Sequence, residues 1–223
     1  SEVEPYPIAV TRTHLPHMKH LGSVKDVRGD KIEPVDIITF GSPCQDLSIA
    51  GKRAGLGGGR SGLFWEAIRI IIEMLVATNG KYPRFVIWEN VPGALSSNGG
   101  KDFETVLNEL LRIRGFAGGR ADKPILQHGK WRGGFANYGA VAYRIVNAQY
   151  WGIPQRRRRV YAVCDTRRES AGVVAFERKG TQWDFNPCIP KGEEIAGLTA
   201  DCYSWHDRMV ASRPAGGAAW SLH

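Results

Sequence analysis

The chain has 223 residues, 43% of them hydrophobic, and a formal net charge of +8. That is enough apolar content for one sizeable core and argues against general disorder. No apolar run approaches the ~18 residues of a membrane-spanning helix, no signal-like segment opens the chain, and a positive balance favours a polyanionic partner. The four cysteines (Cys44, Cys164, Cys188 and Cys202) form no C-x-x-C pair and no cluster with histidine. A soluble intracellular chain without metal ligation or disulfides is therefore expected.

In chain order, Pro5 to about His14 suits a short helix, since proline is tolerated in a first turn. A loop rich in His and Lys leads to Gly22-Ser-Val24, read as a short edge strand. Asp36 to Phe40 is apolar or β-branched after the acid and suits a short buried strand. It breaks at Gly41-Ser42-Pro43, and Pro43 holds the next residue, Cys44, on a stiff turn. Gly51 to Gly62 is glycine-rich and basic. Leu63 to Val76 and Phe103 to Ile113 carry helical apolar periods. Between them Phe85-Val-Ile-Trp88 is another short strand, ending at Glu89-Asn90-Val91.

Residues 115–139 read as an irregular insertion. Val141 to Val146 and Val160 to Cys164 look like two strands, antiparallel across the Tyr150–Arg159 connection. From Thr166 onward no period is visible and no terminal element is expected. The order strand, helix, strand, helix, strand pair predicts an α/β fold, a Rossmann-like doubly wound and mostly parallel sheet. In such a sheet ligands sit at the carboxyl ends of strands, where Cys44 and Glu89 both fall. A cysteine at a strand end is most often a small buried hydrophobe; its company makes this one a candidate nucleophile.

Three stretches stand in order: Gly41-Ser-Pro-Cys-Gln-Asp-Leu-Ser48, Trp88-Glu-Asn-Val91 and Gly152-Ile-Pro-Gln-Arg-Arg-Arg-Arg159. Together they resemble the DNA cytosine-C5 methyltransferases over about residues 1–165. The resemblance implies a methyl transfer from S-adenosylmethionine to C5 of cytosine in double-stranded DNA. C5 is a poor nucleophile until a thiolate adds to C6 and turns the ring into an enamine, hence a cysteine. The base must also be flipped out of the duplex.

Carried over residue by residue, Cys44 is the nucleophile and Glu89 holds N3 and the exocyclic amine. Arg159 lies near O2 of the base, and Arg157 braces the site or a phosphate. Both cations would favour the thiolate. Asn90 supports the cysteine turn, and Gln155 helps fix the arginine turn. Gln45, Ser48, Lys52, Arg53 and Arg60 are candidate DNA contacts on a loop whose glycines allow it to close. A four-arginine run is otherwise a solvated basic face, the reading kept for Arg156 and Arg158. For the cofactor, the matched positions are Glu2 at the ribose hydroxyls, Val3 over the adenine, Ser23, Pro43 and Leu63.

The sequence departs from the family at both ends. The opening strand with its glycine turn is not found, and Ser23 stands where an acid often reads the adenine amine. The reading is thus of an incomplete methyltransferase that binds cofactor weakly alone, with residues 1–165 as a partial catalytic domain. Residues 166–223 are expected to begin a target-recognition region. The gap leaves room for a second chain to supply the strand; otherwise a monomer on DNA is expected. A cytoplasmic location in a bacterial or phage setting follows, with restriction-modification as the context. The alternatives are a non-catalytic DNA-binding remnant, half of a split enzyme, or a thiol enzyme acting on free pyrimidine nucleotides.

Overall fold

Two parallel strands carry the first two motifs. The apolar run after Asp36 forms β1 (Ile37–Gly41) and the next one forms β2 (Phe85–Asn90). They pair in register from Ile37 opposite Phe85 to Gly41 opposite Glu89. The computed structural model describes residues 1–42, 62–118, 131, 135–151, 155–176 and 219–222. The helix at Pro5–His14 (α1) is present as expected. So are α2 (Leu63–Ala77) and α3 (Lys101–Ile113), which bury the faces that their apolar periods mark out. Among the described residues no helix is long and apolar enough to cross a membrane.

β3 (Phe135–Asn137), β4 (Val141–Asn147) and β5 (Arg158–Asp165) complete one side of the sheet, and β6 (Ala219–Leu222) the other. The order is β3-β4-β5-β2-β1-β6. β1 runs parallel to both β2 and β6, whereas β2–β5, β5–β4 and β4–β3 are antiparallel. The α/β class holds, and the parallel pairs are confined to β2–β1–β6. The short 148–157 connection has no room for a crossover helix, so β4 and β5 pair antiparallel, as expected.

Three local expectations are corrected. Val24 belongs to a turn, closed by Asp26 N–H donating to Ser23 O at 3.0 Å, and not to an edge strand. Phe135–Asn137, inside the stretch read as irregular, is a strand. It folds back on β4 through a turn at Gly139, whose φ of 79° suits glycine. Ala219–Leu222, where no element was expected, lies along β1. An open strand edge offers unpaired N–H and C=O groups, and those decide the pairing without any side-chain pattern.

Alternating strand residues divide the core. Ile38, Phe40, Val86, Trp88, Tyr143 and Ala162 pack under α2 and α3. Ala142 and Val163 face the other way, against the short helix α4 (Ala171–Ala175), with Phe85 and Ile87 beside them. Beneath the carboxyl end of β2 lies an aromatic cluster. Phe103 stacks edge-on to Trp131 and Tyr143 at 4.9 Å each and lies 5.8 Å from Trp88. Burial pushes the Tyr143 phenol up to about 12. The strand ends that carry the motifs therefore rest on large, close-packed rings.

The turn after β5 is tied by a buried carboxylate. Asp165 is fully buried and accepts from the backbone N–H of Arg167 and Arg168, each at 3.1 Å, and from the Ser170 hydroxyl. Burial pushes this carboxyl up, but the Ser170 hydroxyl, the two N–H groups and the Arg84 charge outweigh it and hold the group below its usual range. A depressed folded value means a stabilisation present at neutral pH and lost as pH falls below about 4. Replacing Asp165 by Ala should cost about 2–4 kcal/mol in urea unfolding at pH 7 and flatten the acid limb of the stability profile.

Candidate active site

Because Gly41 is in register with Glu89, the parallel pair brings the turn before Cys44 to the Glu-Asn-Val stretch. Ser42, only 5% exposed, is held from β2 by two side chains. The Asn90 amide Nδ2 donates to Ser42 O at 2.7 Å, and the Trp88 indole Nε1 donates to Ser42 Oγ at 3.2 Å. Asn90 Oδ1 in turn accepts from Val91 N at 2.8 Å, which fixes the amide in one orientation. The backbone two residues upstream of Cys44 is thereby pinned. Cys44, Pro43, Gln45, Ser48, Lys52, Arg53 and Arg60 lie outside the described residues.

β5 supplies the third side. The β2–β5 register sets Glu89 opposite Tyr161, and Arg159 Nε lies 2.8 Å from Glu89 Oε1. Arg159 also donates through Nη1 to Arg158 O at 2.8 Å. Burial raises the Tyr161 phenol, as does the Glu89 charge, while Arg157 and Arg159 pull it down. Arg157 is exposed, and its carbonyl accepts from Ala148 N at 3.0 Å. The Gln155 carbonyl accepts from Arg157 N at 2.9 Å, within the turn that leads into β5. The arrangement offers a carboxylate and a guanidinium, mutually oriented, beside a rigid strand end.

Sequence reasoning missed Gly41, Ser42, Trp88 and Tyr161. A signal existed for the last: Tyr161 is two positions beyond Arg159 and so shares its strand face. The indole of Trp88 carried no such signal, because its partner lies 46 residues away.

Of the cofactor candidates, Glu2, Val3, Ser23 and Leu63 are among the described residues. Glu2 Oε1 accepts from the N–H of Val3 at 2.7 Å and of Glu4 at 3.0 Å, just before α1. Val3 is 62% exposed and Leu63, on the first turn of α2, 37%. Ser23 Oγ accepts from Lys25 N at 3.3 Å. The loop that follows Ser23 is fastened to α2. Arg69 donates to the carbonyls of Val24, Lys25 and Val27 and pairs with Glu66 and Glu73, while Glu73 accepts from Gly29 N at 2.7 Å.

Gly29 packs so closely that a Cβ there would lie 2.0 Å from Ile70 O. Arg69→Ala should lower stability by about 1–2 kcal/mol. It should also speed amide exchange at residues 24–29, with protection elsewhere in α2 retained.

The model of the C-5 cytosine-specific DNA methylase family matches residues 1–116. Among curated relatives, a protein of Escherichia phage P1 called DNA N-6-adenine-methyltransferase is 33% identical over 231 residues, covering 90% of this chain and 30% of that one. The type II methyltransferase M.AquIA of Picosynechococcus is 34% identical over 60% of this chain and 45% of its own length. M.HhaI of Haemophilus parahaemolyticus is 30% identical over 64% of this chain and 34% of its own. The chain thus spans between 30% and 45% of the length of these relatives. A solved structure, a DNMT2 variant of Spodoptera frugiperda, overlays with a TM-score of 0.45 at 17% identity, covering 83% of this chain and 43% of that one.

Proposed function

Since the chain belongs to the C-5 cytosine-specific DNA methylase family, we propose that it methylates C5 of cytosine in double-stranded DNA. The observation that carries this reading is the double anchoring of Ser42 to β2 beside Glu89. That anchoring fixes the backbone two residues before Cys44 relative to the strand that carries the Glu89 carboxyl, and addition to C6 requires a thiol and an acid held in relation to each other.

In this reading the Sγ of Cys44 forms a bond to C6 of a flipped cytosine while N3 gains a proton from Glu89. The electron pair moves to C5. S-adenosylmethionine, when bound, would supply the electrophilic methyl that C5 takes, its S–CH3 bond breaking and its sulfonium leaving as a neutral thioether. Loss of the C5 proton to a base then expels the Cys44 thiolate, breaks the S–C6 bond and restores the ring, with the N3 proton returned to Glu89. Arg159 orients Glu89 and lies toward O2; Arg157 braces the phosphate or the site.

The residues matched for the cofactor fit its chemistry. Glu2 is a carboxylate for a ribose diol, Val3 and Leu63 leave apolar surface for an adenine to cover, and Ser23 offers a hydroxyl. Pro43 completes the set. Gln45, Ser48, Lys52, Arg53 and Arg60 are assigned to the DNA backbone, whose affinity should then fall steeply with salt. Residues 1–165 form the catalytic part, and residues 166–223 begin target recognition.

One relative's name favours a second target, the N6 amine of adenine. That amine carries its own lone pair and needs no thiol, so Cys44 would be idle. Digestion of methylated duplexes to nucleosides separates the two: 5-methylcytosine supports the proposal, and N6-methyladenine alone overturns it.

A further inference from the structure

We propose that Gly41 is a positioning residue for the Glu89 carboxylate: its missing side chain lets the carboxylate rest against the end of β1, where Arg159 holds it from the other side. The role rests on the reading of Glu89 as the acid that meets the base. A Cβ at Gly41 would lie 3.2 Å from Glu89 Oε2 and 3.4 Å from Glu89 O. Backbone conformation does not call for glycine here, because Gly41 is not among the residues with positive φ. What an alanine would meet is the carboxylate.

The strand end cannot move aside to make room. Ser42 is pinned through its carbonyl by Asn90 and through its hydroxyl by Trp88, a fully buried ring. Gly41 itself is paired with Glu89 in the β1–β2 register. On the far side, Arg159 Nε is 2.8 Å from Oε1. The carboxylate is therefore clamped between a bare Cα and a guanidinium, and an added methyl must displace it by a few tenths of an ångström. Since a misplacement of about 1 Å can cost on the order of 100-fold in rate, a shift of this size should cost roughly three- to tenfold.

The test compares Gly41→Ala, Glu89→Asp and the double variant. Adduct formation is followed on duplexes carrying 5-fluorocytosine with S-adenosylmethionine present. The ¹³Cδ resonance of Glu89 is recorded on the same full chain without DNA. Gly41→Ala should move that resonance, slow adduct formation roughly three- to tenfold and leave duplex affinity unchanged. The Glu89→Asp change withdraws the carboxylate by roughly one bond, 1.5 Å, so in that background Gly41→Ala should add little further loss.

Equal losses in both backgrounds would overturn the clamp, and so would an unmoved resonance. A Gly41→Ala chain that does not fold would overturn it as well, because the backbone and not the carboxylate would then demand glycine. If the unsubstituted chain forms no adduct, the catalytic reading fails separately and the resonance alone decides: moved, it supports the clamp; unmoved, it ends it.

Discussion

Replacing Cys44 with Ser should remove every trace of covalent complex with 5-fluorocytosine duplexes and lower methyl transfer below about 10⁻³ of the unsubstituted rate. Near neutral pH a thiol is ionised by a few per cent even without help. A serine hydroxyl is almost wholly un-ionised, and its oxygen is a poorer nucleophile toward C6. The swap removes one polarizable atom and leaves the phosphate contacts alone, so duplex affinity should stay within about twofold. Fluorine at C5 blocks the final elimination, so a denaturing gel reads the bond directly. An adduct that survives in Cys44→Ser would move the nucleophile elsewhere.

The parts of this site that were legible in the sequence are those where chemistry fixes both residue type and place. A carboxyl at the end of one strand and arginines at the start of another can be read without coordinates, whereas the thiol expected at Cys44 lies outside the described residues. Strands β1 and β2 and helices α2 and α3 were legible because long or strongly periodic segments announce their buried face. The supports were not. Trp88 reads as one more core aromatic, and nothing local says that its indole reaches Ser42. Gly41 reads as a chain breaker, although its use is to lie under a carboxylate brought across by register.

Val24 reads as a strand residue, but Arg69, some 40 residues later, satisfies the carbonyls that a neighbouring strand would otherwise take, and the segment forms a turn. Phe135–Asn137 and Ala219–Leu222 are too short for any period to show. At Val24 and at Ala219–Leu222 a contact distant in sequence decides the outcome, and a single chain of letters holds no record of it; Phe135–Asn137 is closed locally, by the turn at Gly139 that pairs it with β4.

Glu89→Gln separates the proton from the shape. Glutamine keeps the length of the side chain, an oxygen to accept from the cytosine amine and an N–H to meet N3, so the flipped base should still be bound. It cannot deliver a proton to N3, and the C6 adduct would have to form with the ring's negative charge uncompensated. A positioned general acid contributes about 10²–10⁴-fold, so adduct formation and methyl transfer should fall by that factor with little change in duplex affinity. Glu89→Ala should lose affinity as well.

Stability should behave differently. The side chains of Glu89 and Arg159 are 34% and 21% exposed, so water replaces most of what the ion pair supplies. The unfolding free energy should drop by no more than about 1 kcal/mol. A loss of activity that merely tracked a loss of stability would make Glu89 a structural partner of Arg159. A loss of about three orders of magnitude in a chain that still melts near its original temperature would make it the acid that the chemistry at C6 requires.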